Sequence, residues 1–424
     1  MAKTILILTY FANQDGMACS HHIDVRLPVF KDCDAVPILL TSWCGKRHPT
    51  LAHYRVCSLS PSGLRFEVRQ RFHKKVEQGR RWKILRDLLL LPLLPLYALE
   101  RSIRRLDPTW SWYPLGVLMG LWVCFRRQVD TLYSTGGPPV VHAVGRTLSR
   151  LLALPWLAEV QDPLIHGYCA RHPEEYRKLQ AVEQATFAQA TRMIFLTQEA
   201  LKATAHRLWM AATGVVIYPG ALPPPTQGTL SAGRGWRLAH FGSLGGVRTL
   251  QPLLTAAEEA VRRCPEMAEH LAVDLFGNVD QGDQERLRAS PLAACFHLKG
   301  CIDHAAALAA MASYDLLLLI QGAHAISRET IPSKCYEYFL SGRPVLGLLY
   351  ENEELAAMFR ALGHHLSAAD QPMAIAEMLI SCYQDRQVGL QAIKIPSPYT
   401  VDHAVRQLLV LAPDSGIRGH EPGP

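Results

Sequence analysis

The fold of this chain is decided by Pro332-Ser333-Lys334-Cys335-Tyr336-Glu337-Tyr338-Phe339-Leu340-Ser341-Gly342-Arg343-Pro344-Val345-Leu346-Gly347. The stretch predicts a short polar loop, a helix, a Gly-Arg-Pro turn and a buried strand. Glu329 and Glu337 are roughly two helical turns apart in sequence, so they can line one wall of a site. The helix start at Ser333 and Lys334 would attract phosphate through its free N–H groups. The alternative is an ordinary strand–helix unit with solvated carboxylates.

The length and composition indicate a globular protein with more than one core. The chain has 424 residues, 49% hydrophobic and 19% charged, which suits two domains. The formal charge of +7 is concentrated in residues 65–105, where 12 Lys and Arg stand against 4 Asp and Glu. The remainder is about neutral, with 32 against 33. The basic character therefore gives no reason to expect a nucleic-acid partner.

The cysteines and the N-terminus point to a cytoplasmic protein. The 11 cysteines form no C-x-x-C pair, so reduced buried thiols are favoured over a zinc site or disulfides. The apolar run after Lys3 is too short for a signal peptide and predicts a first strand. No run of about 20 apolar residues predicts a membrane-spanning helix. The expected location is the cytoplasm, with the inner face of the membrane as an alternative.

The pattern alternates between apolar strands and helices in both halves of the chain. Residues 223–235 are rich in Pro, Gly and Ser and predict a linker. The predicted organisation is therefore one Rossmann-like domain over 1–222, the linker, and a second Rossmann-like domain over 236–398. A last helix over 399–413 and a disordered tail over 414–424 complete it.

Two further places offer functional side chains. The strand that starts at Trp236 runs into Gly242, Gly245 and Gly246, where a backbone can approach a ligand closely. Arg248 follows and can pair with a diphosphate through its planar guanidinium, although Lys334 competes for this role and a surface position is the alternative for Arg248.

In the first half, Glu159 and Asp162 follow one another at the C-terminal end of a predicted strand, facing a cleft. Asp162 either binds an acceptor or shapes an Asp-Pro turn, which is the ordinary reading of such a residue. His142 and His166 are candidates for a histidine near the site.

The quoted stretch, together with Glu329-x7-Glu337, resembles the retaining glycosyltransferases of family 4, which have the GT-B fold. The pattern S-x-G-x-P-P followed by P-W-L-A-E-x-x-D-P, within residues 131–163, is similar to members that build bacterial surface polysaccharides. The resemblance is strong over 131–163 and 236–350 and weak over 1–125. It implies an α/β protein in which an acceptor-side Rossmann-like domain, residues 1–222, and a nucleotide-sugar-binding Rossmann-like domain, residues 236–398, face each other across a cleft. The helix over 399–413 would cross back to the first domain.

The resemblance also implies an activity and roles for residues. The chain would move a sugar from a nucleotide-diphosphate sugar to a hydroxyl acceptor, a glycan or lipid-linked glycan, with retention of configuration. Glu337 would hold the donor ribose and Glu329 would face the donor sugar. Arg248, Lys334, Ser333 and Gly242 would surround the phosphates, so that no bound metal and no other cofactor is needed.

Two rival functions remain open. One is a GT-B epimerase that binds a UDP-sugar, of the UDP-N-acetylglucosamine 2-epimerase type. The other is a catalytically silent GT-B subunit that scaffolds a glycan-assembly complex, which the low glycine content of the 10–20 loop keeps open.

Residues 80–105 combine an apolar run with basic flanks. One interpretation is an interfacial segment that dips into lipid while the basic residues meet anionic headgroups. The alternative is a helix packed on the first domain with solvated arginines. Pro92 and Pro95 argue against one uninterrupted amphipathic helix.

Overall fold

The computed structural model describes residues 2–14, 17–77, 79–103, 107–165, 173–209, 214–224, 235–388 and 395–412. The chain divides into two compact units. One unit holds the described residues of 1–196, 200–218 and 404–424, and the other holds those of 197–199 and 219–403. The predicted tail 414–424 and most of the predicted linker, residues 225–234, lie outside the described residues.

The first unit is built on a seven-stranded parallel sheet. Its strands are β1 Lys3–Leu8, β2 Ala35–Ser42, β3 His53–Val56, β4 Thr131–Thr135, β5 Trp156–Val160, β6 Arg192–Phe195 and β7 Val215–Val216. Their order across the sheet is β3-β2-β1-β4-β5-β6-β7. The apolar run Ile5–Leu8 is fully buried, because a central parallel strand is covered on both faces.

Nine helices connect and cover these strands in the described part of the first half. They are α1 Ala18–Asp24, α2 Arg26–Asp32, α3 Pro61–Glu77, α4 Arg80–Leu90, α5 Leu94–Ile103, α6 Tyr113–Arg127, α7 Val140–Leu152, α8 Pro173–Gln189 and α9 Gln198–Leu208. The apolar stretch 115–125 forms the interior of α6, which extends two residues further at each end, to Tyr113 and Arg127.

The second unit is built on a six-stranded parallel sheet. Its strands are β8 Trp236–Phe241, β9 Leu271–Phe276, β10 Phe296–Gly300, β11 Leu316–Ile320, β12 Val345–Leu349 and β13 His365–Ala368. Their order is β10-β9-β8-β11-β12-β13. Counted within the unit this is 3-2-1-4-5-6, the strand order of the Rossmann fold. The predicted class of two Rossmann-like α/β units is therefore confirmed.

The second half of the chain forms helices α10 Gln251–Arg263, α11 Met267–His270, α12 Gln281–Ala289, α13 His304–Met311, α14 Ile326–Glu329, α15 Lys334–Leu340, α16 Glu353–Leu362, α17 Pro372–Gln387 and α18 Val401–Leu411. From Ala404 onward, α18 belongs to the first unit. The deciding stretch forms α15, a turn with Gly342 at φ +71°, and β12. The elements predicted for this stretch are therefore confirmed.

Some elements escaped prediction because they carry few apolar residues. The edge strand β3 has the sequence His-Tyr-Arg-Val, and the edge strand β13 has only four residues. Helix α12 is polar, and the carboxylate of Asp280 caps it by accepting a hydrogen bond from the Asp283 N–H. Asp303 stands at the N-cap position of α13, but its side chain makes no capping hydrogen bond.

The basic and apolar segment 80–103 is helical with an interruption. A 3₁₀ turn over Leu91–Leu93 separates α4 from α5, and Pro92 lies inside it, as expected for a residue that disrupts a helix interior. Arg104 and Arg105 lie outside the described residues. In the parts of the chain that the structure describes, no helix has the length and apolarity required to cross a membrane.

Candidate functional site

The candidate site of the second unit is formed by loops at the carboxyl edge of its sheet. Strands β8, β9, β10 and β11 end at Phe241, Phe276, Gly300 and Ile320. Because all of them are parallel, the loops that follow emerge at the same edge. Gly322 touches the loop after β8, since a Cβ added there would lie 2.6 Å from the carbonyl oxygen of Val247.

Lys334 lies directly against the backbone at Gly242. An ideal Cβ built on Gly242 would be 2.1 Å from the Lys334 Nζ, and Gly242 has a φ of +136°. The Nζ is buried and makes no hydrogen bond within the described parts of the chain. Burying an ammonium without a partner costs free energy, so an anion bound beside this group would be stabilised.

Arg248 projects from a tight turn in the loop after β8. Gly245 and Arg248 exchange two main-chain hydrogen bonds of 2.9 and 3.1 Å. Gly246 adopts a φ of +60°, and its N–H donates to the Asp280 carboxylate over 3.1 Å. The Arg248 Nε is buried and has no hydrogen-bond partner among the described residues. Burial lowers the pKa of its guanidinium.

His240 lies beneath these two cations at the end of β8. It is fully buried, and its Nδ1 is 2.9 Å from the carbonyl oxygen of Leu318. Because a carbonyl only accepts, Nδ1 carries the proton and Nε2 presents a lone pair. Nε2 is buried and has no hydrogen-bond partner in the described chain. Burial, reinforced by the charges of Lys334 and Arg248, holds the pKa of His240 well below its ordinary value.

The charge state of Lys334 depends on the same surroundings. Burial and, to a smaller extent, the Arg248 charge together lower the pKa of its ammonium to about 7, against the opposing effect of the Glu337 carboxylate. A lysine that titrates near neutral pH can hold or lose its proton in response to a ligand. Residues with strongly shifted pKa values in a loop cluster are candidates for function.

The loop that carries Glu329 is held by two side-chain amides. The Gln321 Nε2 donates to the carbonyl oxygens of Ser327 and Thr330 over 3.2 and 3.3 Å. The Asn352 Nδ2 donates to the same two oxygens, over 2.6 and 3.1 Å. Four hydrogen bonds therefore fix the main chain on both sides of Glu329, which ends α14 and is half-buried.

Glu337 lies in the first turn of α15 and pairs with His304. The His304 Nε2 is 2.7 Å from the Glu337 Oε1, and the Glu337 side chain is 13% exposed. The hydrogen bond to Glu337 raises the pKa of His304, and burial partly opposes that rise. Ser333 precedes the helix and is exposed.

The second helical turn of α15 is anchored to β8. The Phe241 N–H donates to the Tyr338 Oη over 2.9 Å, and Tyr338 is fully buried. This contact connects the residue before Gly242 to the helix that carries Lys334 and Glu337. The positions of these side chains therefore depend on one rigid strand–helix pair.

The structure of the first unit corrects the interpretation of Glu159. Its carboxylate is fully buried and accepts hydrogen bonds from Arg26 Nη1 over 2.6 Å and Thr135 Oγ1 over 2.7 Å. Arg26 Nη1 also donates to the Tyr133 Oη over 2.7 Å. The Arg26 charge holds the pKa of Glu159 below its ordinary value despite burial. Glu159 is therefore an internal ion-pair residue and does not face a cleft.

Asp162 and the two candidate histidines have different positions. Asp162 is exposed in the loop after β5. Its charge contributes, after burial, to the raised pKa of the Cys19 thiol. His142 is fully buried and 2.9 Å from the Ser134 hydroxyl through Nδ1, so it is not an accessible site histidine. His166 lies outside the described residues.

The second unit thus brings Gly242, Arg248 and Lys334 together, with Glu337 close enough to influence the charge of Lys334. Asp162 belongs to the other unit and is described with it. His240 and His304 were not predicted as site residues. His240 could have been found from the sequence, because it is a histidine inside an apolar strand that leads into a glycine. No local sequence feature indicates the pairing of His304 with Glu337.

Comparison with known proteins identifies the fold. No protein-family model matches the sequence, and no curated protein matches it in sequence. Among solved structures, sucrose-phosphate synthase from Thermosynechococcus elongatus is similar over 97% of this chain and 96% of its own, with a TM-score of 0.62 and 11% identity.

Two further structures have the same architecture. HepE from Anabaena, in complex with UDP, aligns over 96% of this chain and 94% of its own, with a TM-score of 0.57 and 13% identity. A putative UDP-N-acetylglucosamine 2-epimerase from Listeria monocytogenes aligns over 96% and 95%, with a TM-score of 0.53 and 12% identity. These similarities confirm the predicted GT-B fold.

Proposed function

We propose that this chain is a glycosyltransferase that moves a sugar from a nucleotide-diphosphate sugar to a hydroxyl acceptor. One observation carries the proposal: the buried Lys334 ammonium lies against Gly242 with the Arg248 guanidinium nearby, and neither Lys334 Nζ nor Arg248 Nε has a hydrogen-bond partner in the described chain. A diphosphate would satisfy both groups at once.

The same cations suit the chemistry of the transfer. When the bond between the sugar and the diphosphate breaks, negative charge grows on the leaving phosphate oxygen. Positive groups already in place stabilise that charge without reorganisation, which is worth several kcal/mol in other enzymes. We therefore propose that Lys334 and Arg248 supply the charge for which other enzymes use a metal, so that no bound metal is required.

The other candidate residues take roles around the diphosphate. We assign the donor ribose to Glu337, whose carboxylate is held by His304. Glu329, on the loop fixed by Gln321 and Asn352, is assigned to the donor sugar. Ser333 is assigned to the phosphates and Asp162 to the acceptor. Membership of family 4 and retention of configuration are part of the proposal, on the strength of the motif around Glu329 and Glu337.

For the nucleotide base of the donor and for the acceptor, we propose chemical classes. HepE has been solved with UDP and with UDP-glucose, so uridine is the first base to test in this chain. The acceptor is proposed to be a glycan or a lipid-linked glycan in polysaccharide synthesis. For the lipid-linked case, residues 80–105 would contact the inner face of the cytoplasmic membrane.

A GT-B epimerase is the second candidate, because one similar structure is a putative UDP-N-acetylglucosamine 2-epimerase. An epimerase would also bind a UDP-sugar, but it would release an isomer of the donor and free no UDP. A silent scaffolding subunit would release neither product. Chromatography of the nucleotide products from several UDP-sugars distinguishes these outcomes.

The donor site is tested by thermal shift with UDP, GDP, ADP and their common sugar conjugates. A ligand that binds only the native state raises stability by RT ln(1 + [L]/Kd). We expect one diphosphate to raise the unfolding midpoint, and Glu337→Ala to remove most of that rise. Glu377→Ala is the matched control, because this glutamate is 70% exposed on α17. An unchanged nucleotide response in Glu337→Ala would contradict the ribose assignment.

A further inference from the structure

The segment Arg80–Ile103 exposes an unusual number of large apolar side chains. Nine leucine and isoleucine side chains keep between 39% and 69% of their surface exposed. We call them the leucine face: Ile84, Leu85, Leu88, Leu89, Leu91, Leu94, Leu96, Leu99 and Ile103. Monomeric water-soluble proteins rarely expose contiguous apolar patches beyond a few hundred Å². The leucine face therefore indicates a partner surface.

The opposite side of the segment is fastened to α3. The Lys75 ammonium lies 4.6 Å from the centre of the Trp82 ring, and the Arg65 guanidinium lies 4.9 Å from that of Tyr97. The Glu100 carboxylate accepts hydrogen bonds of 2.6 and 2.8 Å from the Ser62 hydroxyl and N–H. These contacts hold both helices in a fixed rotation, so the leucine face stays outward.

The spacing within the leucine face follows the helical repeat. Leu85 and Leu88 in α4 are three residues apart, and Leu96, Leu99 and Ile103 in α5 follow at steps of three and four. Residues three and four apart lie on one side of a helix. A helix of a water-soluble protein turns such a stripe towards the core, whereas here it points to solvent.

The charges on the segment narrow the choice of partner. Four basic residues stand in α4, at positions 80, 81, 83 and 86, and Arg101 stands near the end of α5. Of the two acidic residues, Asp87 is paired with Arg86 over 2.8 Å and Glu100 is turned inward to Ser62. The partner surface should therefore be apolar within and negatively charged at its rim.

We propose that the leucine face docks on a bilayer of anionic phospholipids. The apolar side chains would enter the boundary between headgroups and acyl chains, and the basic side chains would contact the phosphates. A second copy of the chain fits less well, because a two-fold pairing of this face sets the basic ends of the segment against each other. The connection between membrane docking and a lipid-linked acceptor rests on the proposed function.

The test is sedimentation of the full chain with extruded vesicles, without donor or acceptor. Vesicles contain phosphatidylcholine and phosphatidylglycerol at a 3:1 ratio, or phosphatidylcholine alone. We expect binding to the anionic vesicles to be at least about tenfold stronger, since each basic residue near such a surface contributes roughly a fivefold factor. No binding to anionic vesicles would overturn the proposal.

Two variants with the same charge change separate the leucine face from other apolar positions. Leu88→Glu with Leu96→Glu should weaken vesicle binding by at least about tenfold. The control is Leu151→Glu with Val388→Glu, because these side chains, in α7 and directly after α17, are 62% and 70% exposed. Equal loss of binding in both variants would show that only net charge matters and would overturn the proposal. A dimer that the first variant alone converts to a monomer would assign the face to a second copy instead.

A third variant guards against a folding defect. Arg80→Ser, Arg81→Ser and Lys83→Ser remove cations from the start of α4, where cations oppose the helix dipole, so the fold should not weaken. Anionic-vesicle binding should fall by up to about a hundredfold; retained binding would contradict the role of the charges.

The docking surface and the proposed donor site can fail separately. Vesicle binding without any nucleotide response would support the docking surface and refute the proposed donor site. A nucleotide response without vesicle binding would support the donor site and refute the docking surface.

Discussion

The amino group of Lys334 occupies the space next to Gly242 that a side chain would fill, with an ideal Cβ lying 2.1 Å from the Nζ. The glycine and the lysine are therefore one structural unit, although 92 positions separate them in the sequence. The C-terminal end of β8 lies against the first turns of α15, and the Phe241–Tyr338 hydrogen bond fixes the strand relative to the helix. The donor-phosphate assignment depends on this contact.

Substitution of Gly242 should harm both stability and donor binding. Gly242→Ala places a Cβ on the Lys334 ammonium at a φ of +136°, which strains the backbone and displaces the cation. We expect a loss of about 1 to 2 kcal/mol in the free energy of unfolding beyond that of the control. Gly246→Ala is the control, because that position also has a positive φ but no atom within 4 Å of its Cβ. Denaturant unfolding and the nucleotide thermal shift measure the two effects; equal behaviour of both variants would contradict the role of the contact.

The affinity for UDP should fall as pH rises above neutral. The pKa of Lys334 is lowered to about 7, so the free protein loses this charge above pH 7 while a bound diphosphate favours the protonated form. Calorimetry between pH 8 and 9 should show Kd rising by up to about tenfold per pH unit, with proton uptake on binding. Lys334→Arg should flatten the profile, because arginine stays protonated. A slope that persists unchanged in Lys334→Arg would assign the titration to another group.

The same lysine should make the free energy of unfolding rise with pH, whereas it makes the affinity for UDP fall with pH. Its folded-state pKa lies below the unfolded value, so the unfolded chain binds more protons between pH 7 and about 10.5. Stability from this group therefore rises with pH across that window and is lowest below pH 7. Lys334→Met should remove this pH dependence from the unfolding midpoint, and Lys83→Met, at an exposed position, should leave it in place.

The pKa of His304 should depend on Glu337. The hydrogen bond between them raises the histidine pKa, so the pair stabilises the fold at acidic pH and loses that contribution as pH rises through the folded-state pKa. Titration of the histidine resonances by NMR should show one pKa falling towards its ordinary value in Glu337→Gln. The exposed Glu377→Gln should leave that resonance unchanged; a shift in both variants would indicate a long-range charge effect.

Breaking the ion pair of Arg26 and Glu159 should strongly destabilise the first unit. Their side chains are 2% and 0% exposed, so Arg26→Met would leave an uncompensated buried carboxylate at a cost of about 3 to 5 kcal/mol. The double substitution Arg26→Met with Glu159→Leu should recover much of this loss in urea unfolding. A double variant no more stable than Arg26→Met would show that the packing, and not the lone charge, is responsible.

The sequence predicts what is local and misses what is made by long-range contacts. The strands, α15 and the turn at Gly342 follow from apolar runs, a Gly-Arg-Pro turn and helical spacing within a few residues. Glu159 was wrongly placed in a cleft, because its partner Arg26 is 133 residues away in sequence. His304 was not predicted as the partner of Glu337, 33 residues later, because such pairings arise only when the parallel strands bring their carboxyl ends together.

The strand order of each sheet also has a consequence for the growing chain. The central strands β1 and β8 are the first to be synthesised in their sheets, yet β1 pairs with β4 and β8 pairs with β11. Each therefore waits for a partner far along the chain, and at synthesis rates of about 5–20 residues per second the wait for β4 lasts roughly 6 to 25 seconds. During that time β1 has one edge open and the apolar residues of α4 and α5 have already emerged. Slow folding with early dependence on chaperones or a nearby membrane is the expected behaviour of the nascent protein.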